Sequence, residues 1–142
     1  MLMSKQPPLL LDTHAAIWIA EDQRITSEAK EAIEAVYRAD GTVYVSAITA
    51  WEIGMLVARN RLGLSMRPER WFQQLLAVEG VQLAELSPDV LIASSFLPGE
   101  PPRDPADRII LATARELGAT LITRDRLMLK YGEDGQVSTI AC

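Results

Sequence analysis

The stretch DPADRIILATARELGATLITRD, residues 104–125, restricts the possible folds more than any other part of the chain. Asp104 precedes a proline and can cap a helix whose first position is Pro105. An apolar stripe at helical spacing follows, made of Ile110, Leu111, Ala114 and Leu117, with Arg108, Arg115 and Glu116 on the other face. Asp107 stands three and four residues before Ile110 and Leu111, so a carboxylate heads the apolar stripe instead of lying on the solvated side. Gly118 ends the helix, and Ala119 to Thr123 read as a short apolar strand with Asp125 just past its C-terminal end. A carboxylate at a helix start and another beyond the next strand can meet at one edge of a parallel sheet. Open α/β sheets place their ligands at that edge.

The rest of the chain keeps the same alternation. Leu9 to Leu11 form a continuous apolar run, as in a strand buried on both faces, and the run ends at Asp12. Thr13 is expected to start a helix over residues 14–20. Further helices are expected over 27–39, 50–60 and 68–78, with Thr49 capping or beginning the second of these. Strands are expected over 43–45 and 81–86, and a short helix from Ser87-Pro88. A stiff proline-rich loop then runs from 98 to 105. After Asp125 come a helical turn with Leu127 and Met128, a turn over 132–135 and an edge strand over 137–140. Strands alternating with helices predict one α/β domain over residues 1–142, a central parallel sheet of about five short strands with helices on both sides.

Composition removes several classes of function. The 142 residues carry a formal net charge of −5, which argues against a binder of nucleic acid driven by bulk electrostatics. An enzyme that holds phosphate through metal ions stays open. Arginine dominates the cations, with 11 Arg against 3 Lys, and suits bidentate phosphate contacts. Cys142 is the only cysteine, so no disulfide or thiolate metal site forms within the chain. The N-terminal segment, with Lys5 and only three consecutive leucines before Asp12, reads as neither signal peptide nor membrane span, and a cytoplasmic protein is expected.

Four acids stand at matching places: Asp12, Glu52, Asp107 and Asp125 each follow a strand or belong to the helix after one. Glu52 is anomalous, because its helical neighbours are Ile48, Thr49, Met55 and Leu56. Such a glutamate is paired with an arginine, snorkels from the helix end, is protonated or coordinates a cation. Two unit charges about 5 Å apart repel by roughly 3 kcal/mol at an effective dielectric of about 20. Converging carboxylates therefore protonate or take up cations. An oxygen-only donor set points to Mg²⁺ or Mn²⁺. A pair of such ions about 3.5–4 Å apart clamps the attacking and leaving oxygens of a phosphodiester displacement.

LLLDTHAAIWIA, SAITAWEIGML and DPADRIILATARELGATLITRD, in this order and spacing, resemble the PIN domain. Within it they look like the VapC group, the ribonuclease toxins of bacterial type II toxin–antitoxin pairs. The resemblance runs over about residues 9–137. It implies a PIN-like fold and a Mg²⁺- or Mn²⁺-dependent endoribonuclease, with catalytic, metal-holding acids at Asp12, Glu52 and Asp107 and a more peripheral fourth at Asp125. Ser46 and Thr123 fall where the family has supporting hydroxyls, and Asp104 matches the first acid of its DPxDR pattern. Ala106 departs from the bulkier residue common there. Thr13 and Arg108 complete the candidate site as supporting or substrate-contacting residues. The resemblance also implies a homodimer and a VapB-like antitoxin partner whose tail lies along helices near the acids.

His14 is read as structural or supporting, with contact to substrate or to a partner's inhibitory segment as the alternative. Trp18, Trp51 and Trp71 fall on apolar helical faces and read as core or interface packing rather than base stacking. Arg108 and Arg124 flank the acidic edge, placed for phosphate or for ion pairs with the acids. A haloacid-dehalogenase-type phosphatase needs an acid two residues after Asp12, where His14 stands, and a receiver domain needs an acidic pair near the first strand. The remaining rival is a catalytically silent PIN-like module that binds protein or RNA. Its mark would be the loss of Asp12, Glu52 or Asp107, and all three are present.

Overall fold

Leu9, Leu10 and Leu11 explain the layering of the whole molecule. The computed structural model describes residues 6–142, so Lys5 lies outside the described residues. Strand β1 (Leu9–Leu11) is the middle of a five-stranded sheet of order β3-β2-β1-β4-β5, and every pairing is parallel. The other strands are β2 (Val43–Ser46), β3 (Val81–Ala84), β4 (Thr120–Thr123) and β5 (Ser138–Ala141). Side chains alternate across a strand. Leu9 and Leu11 therefore enter one core with Val43, Val45, Ala15, Ile17, Val36, Ile53 and Trp71. Leu10 enters the other with Leu121, Ile110, Leu111, Met128 and Tyr131. Both faces are covered, which is why the run carries no polar residue. Each buried leucine contributes about 1.5–3 kcal/mol.

The first core is roofed by α1 (Thr13–Ala20), α2 (Ser27–Arg38), α3 (Ala47–Ala58) and α4 (Pro68–Leu76). The second is covered by α6 (Pro105–Leu117) and α7 (Arg126–Glu133), with α5 (Pro88–Ala93) packed on α6. Helix α6 matches its expected description. Asp104 caps it through a 3.0 Å bond from the Asp107 amide, and Gly118 closes it in the left-handed conformation at φ 61°.

Two helix starts differ from the sequence reading. Asp12, not Thr13, caps α1, because its carboxylate accepts from the Ala15 amide at 2.8 Å. Ser46, not Thr49, caps α3, accepting from the Ile48 amide at 3.1 Å. Thr49 is then fully buried in the first turn. The segment after Asp125 is a complete eight-residue helix that includes Gly132, not a single turn. Strand β3 ends at Ala84, and α4 at Leu76, two residues short of expectation in each case. Trp71 is buried as expected, whereas Trp51 is 58% exposed.

Candidate active site

The chain runs from β1 outward to β2 and β3, then returns across the sheet to β4 on the other side of β1. The C-terminal edge beside β1 is therefore the topological switch point, where crossovers leave in opposite directions and open a crevice. Asp12 is the first residue past β1, and Asp125 follows β4 by two residues. Glu52 lies in the second turn of α3, after β2, and Asp107 in the first turn of α6. All four acids line one cavity of about 420 Å³, together with Thr13, His14, Trp18, Asp104 and Arg124.

Asp12 is held on both oxygens. Its Oδ1 accepts from the Ala15 amide at 2.8 Å, and its Oδ2 from the Thr123 hydroxyl at 2.5 Å. Thr123 oxygen in turn accepts from the Asp125 amide at 3.0 Å, so one hydroxyl ties the two acidic loops together. On the other side the Thr13 hydroxyl donates to Glu52 Oε1 at 2.5 Å and lies 3.0 Å from the Thr49 hydroxyl. Thr13 has a single proton, so while it donates to Glu52 the Thr49 hydroxyl donates to it. Asp125 Oδ1 accepts from the amides of Leu127 and Met128 and caps α7.

Burial pushes the Asp12 carboxyl up, and the bonds from Thr123 and Ala15 offset this only partly. Burial also raises Glu52, against the Thr13 hydrogen bond and with the Asp104 charge adding to the rise. Asp107 moves furthest, to about 7, through burial first and then repulsion from Asp104, Asp125, Glu52 and Asp12. Among the described residues, no carboxylate of this cavity is ion-paired with a lysine or arginine.

The candidate residues separate into three groups. Asp12, Glu52, Asp107, Asp125, Thr13 and Asp104 are brought to one cavity. Thr123 supports that cavity from behind, and Ser46 supports it indirectly by capping the helix that carries Glu52. Arg108 is not in the cavity wall. Its guanidinium donates to the carbonyls of Pro102 at 2.9 Å and Ser94 at 3.3 Å, bracing the loop before α6. Its place in the sequence beside Asp107 misleads, because one residue along a helix turns the side chain by about 100°. Thr49, read as a cap, is the residue that reading missed. Its spacing from the anomalous Glu52 was the available signal.

The chemistry of these donors fits hard divalent cations. They are oxygens only, burial and neighbouring charge raise Asp12, Glu52 and Asp107, and the lone thiol of Cys142 is buried outside the cavity lining. Among the described residues, no three His, Cys, Asp or Glu side chains already converge as a ligand set; the acids stand around the cavity instead. Mg²⁺ is compatible with that, since it keeps several waters and takes only one or two carboxylates.

Comparison with known proteins agrees with this fold. The pattern described as PIN domain matches residues 9–134. Ribonuclease VapC22 of Mycobacterium tuberculosis (strain ATCC 25618 / H37Rv) is 41% identical over 124 residues, covering 87% of this chain and 91% of that protein. The structure of VapBC2 from Rickettsia felis, bound to a DNA fragment from their promoter, superposes with a TM-score of 0.67. It covers 94% of this chain and 98% of that one at 13% identity, a likeness of fold alone. A toxin–antitoxin complex from Klebsiella pneumoniae superposes with a TM-score of 0.53 at 26% identity, covering 82% of this chain and 86% of that one. A parallel sheet with its acids gathered at the switch point, and a sequence match over nearly its whole length, assign the chain to the PIN-domain family, among its VapC-like members.

Proposed function

We propose that this protein is the ribonuclease toxin of a type II toxin–antitoxin pair, hydrolysing RNA phosphodiester bonds at the four-acid cavity with Mg²⁺ or Mn²⁺. One observation carries the reading: Asp12, Glu52, Asp107 and Asp125 line a single cavity and hold Asp107 at about 7 by burial and mutual repulsion. The 41% identity to a ribonuclease supports the substrate class. The toxin–antitoxin complex from Klebsiella pneumoniae among its structural neighbours supports a VapB-like antitoxin as partner. A homodimer in the cytoplasm belongs to the same proposal. Among the described residues no helix is long and apolar enough to cross a membrane.

Asp12, Glu52 and Asp107 would hold the cations, with Asp125 at the margin. Divalent ions bound there would acidify a water and offset charge on the phosphate under attack. The chain's own residues supply orientation. Thr123 and the Ala15 amide fix the Asp12 carboxyl in one rotamer, and Thr13 fixes Glu52 from the neighbouring helix. The Asp104 cap fixes the first turn of α6 and with it Asp107. His14 is the only imidazole in the chain, so paired-histidine acid–base cleavage has no second partner.

The test compares antitoxin-free protein with Asp12→Asn on a mixed pool of structured RNAs, in Mg²⁺, in Mn²⁺ and in EDTA. Cleavage is expected with either ion, and none in EDTA or in the variant. A well-folded wild type that cuts no RNA and takes up no Mn²⁺ by calorimetry would be a silent binding module instead.

A further inference from the structure

Arg124 is the only lysine or arginine among the described residues lining the acid cavity. Its side chain is exposed, yet it is held from three sides. The guanidinium carbon lies 3.8 Å from the centre of the Trp18 ring. Nε donates to the Cys142 carbonyl at 2.8 Å, and a terminal nitrogen donates to the Arg24 carbonyl at 3.4 Å. Although Asp125 is its sequence neighbour, Arg124 pairs with no Asp or Glu side chain within 4.0 Å among the described residues. A guanidinium has five N–H donors, and only two are used here. The result is a positive charge, fixed in orientation and paired with no acidic side chain among the described residues, at the rim of a cavity that five acids share with Thr13, His14 and Trp18. Trp18 gives one ring face to the cation, so that face is a platform for Arg124 and not for a base. His14, with its ring centroid 5.9 Å from that of Trp18, continues the same wall.

Resting on the ribonuclease reading, we infer that Arg124, seated on Trp18, binds an RNA phosphate adjacent to the one that is cleaved. The acids repel an approaching strand at every phosphate that no cation covers. A fixed guanidinium at the rim offsets that repulsion, and its rotamer entropy is already spent in the free protein. Its separation by more than 4.0 Å from the Asp and Glu carboxylates of the described residues assigns it a neighbouring phosphate, not the scissile one. Such a contact is made equally in ground state and transition state, so it acts on KM rather than kcat. The competing role is mechanical, since Arg124 also pins the segment after β5 through the Cys142 carbonyl.

The experiment uses the full chain with Arg124→Gln and Arg124→Lys. Cleavage kinetics are measured on the single variants. Binding of a fluorescein-labelled single-stranded RNA is followed by anisotropy in the Asp12→Asn background across a salt series. Arg124→Gln is expected to raise KM and Kd about 10- to 100-fold, the loss of one charge-assisted contact. It leaves kcat within about twofold. The slope of log Kd on log salt should shrink by about 0.7, one phosphate contact on a single strand. Arg124→Lys should recover part of the affinity. Unchanged Kd and salt slope overturn the inference, as does a fall in kcat and melting temperature at constant KM, the mark of the mechanical role. Wild type that neither binds nor cleaves RNA overturns the ribonuclease reading along with it. RNA cleavage indifferent to Arg124→Gln overturns this inference alone.

Discussion

Removing the Asp107 charge should make the metal-free protein more stable while abolishing its activity. In the folded protein the Asp107 carboxyl is raised from 3.8 to about 7, with burial as the first cause and four other acids adding to it. A raised carboxyl binds its proton more tightly in the folded state. It therefore adds nothing below pH 3.8 and destabilises increasingly as pH climbs through the window up to about 7. At about 1.4 kcal/mol per pH unit the full shift corresponds to ~4 kcal/mol. Asp107 is only half-buried, and solvent screening reduces this to roughly 2 kcal/mol. For a chain of this length that is about 6 °C in Tm. Asp107→Asn keeps the backbone amide that bonds to the Asp104 cap, so the helix start survives. Thermal melts in EDTA from pH 5 to pH 8.5 should show wild type losing stability with rising pH and the variant losing much less. The two should differ most at the alkaline end. Asp12 and Glu52 are raised in the same direction and leave a residual slope. A variant that melts at or below the wild-type temperature at every pH would refute the upward shift of the Asp107 carboxyl.

Three further outcomes follow from the same site and fold. Mg²⁺ at ten times its Kd should stabilise wild type by about 1.4 kcal/mol. The effect should be larger at pH 8 than at pH 5 and lost in Asp107→Asn, as read by melting against KCl of equal ionic strength. Thr123→Val removes the hydroxyl that donates to Asp12 and accepts from the Asp125 amide. Cleavage should fall about 10- to 100-fold with the fold retained by circular dichroism, and an unchanged kcat would show that Asp12 is positioned without it. Gly118→Ala places a Cβ in open space at φ +61°, so it should lower stability by about 1–2 kcal/mol from backbone strain alone and leave RNA cleavage intact.

The acids were legible in the sequence because a parallel sheet leaves them nowhere else to go. A strand buried on both faces cannot hold a carboxylate in its middle, so Asp12 had to mark the end of Leu9–Leu11. Asp107 and Glu52 declared themselves by falling within apolar stripes. What sequence could not separate was a hydroxyl that caps its own helix from one that reaches another element. Thr13 and Thr49 stand where caps belong, yet they bond to each other across 36 positions and carry Glu52 with them. The same ambiguity ran the other way for Ser46, whose hydroxyl serves the local amide of Ile48. The chemistry of these side chains is identical in both roles, and only the packing of α1 against α3 decides between them.

That packing also answers how the cavity keeps its acids without cationic side chains as partners. Among the described residues the ion pairs are Arg67–Glu69 and Lys130–Asp134, both on the exposed surface outside the cavity lining. The acids are compensated instead by helix starts. Asp12 caps α1, Asp104 caps α6 with Asp107 in its first turn, and Asp125 caps α7. Backbone amides at a helix N-terminus stabilise a carboxylate by about 0.3–1 kcal/mol, far less than a buried guanidinium would. They are also fixed in place and engage Asp104 and Asp125 only through Oδ1. A mobile arginine would quench the acids and compete with any incoming cation. Amide capping holds the Asp12, Asp104 and Asp125 carboxylates in position without pairing them to a cationic side chain, which is the state the proposed cation-binding edge requires.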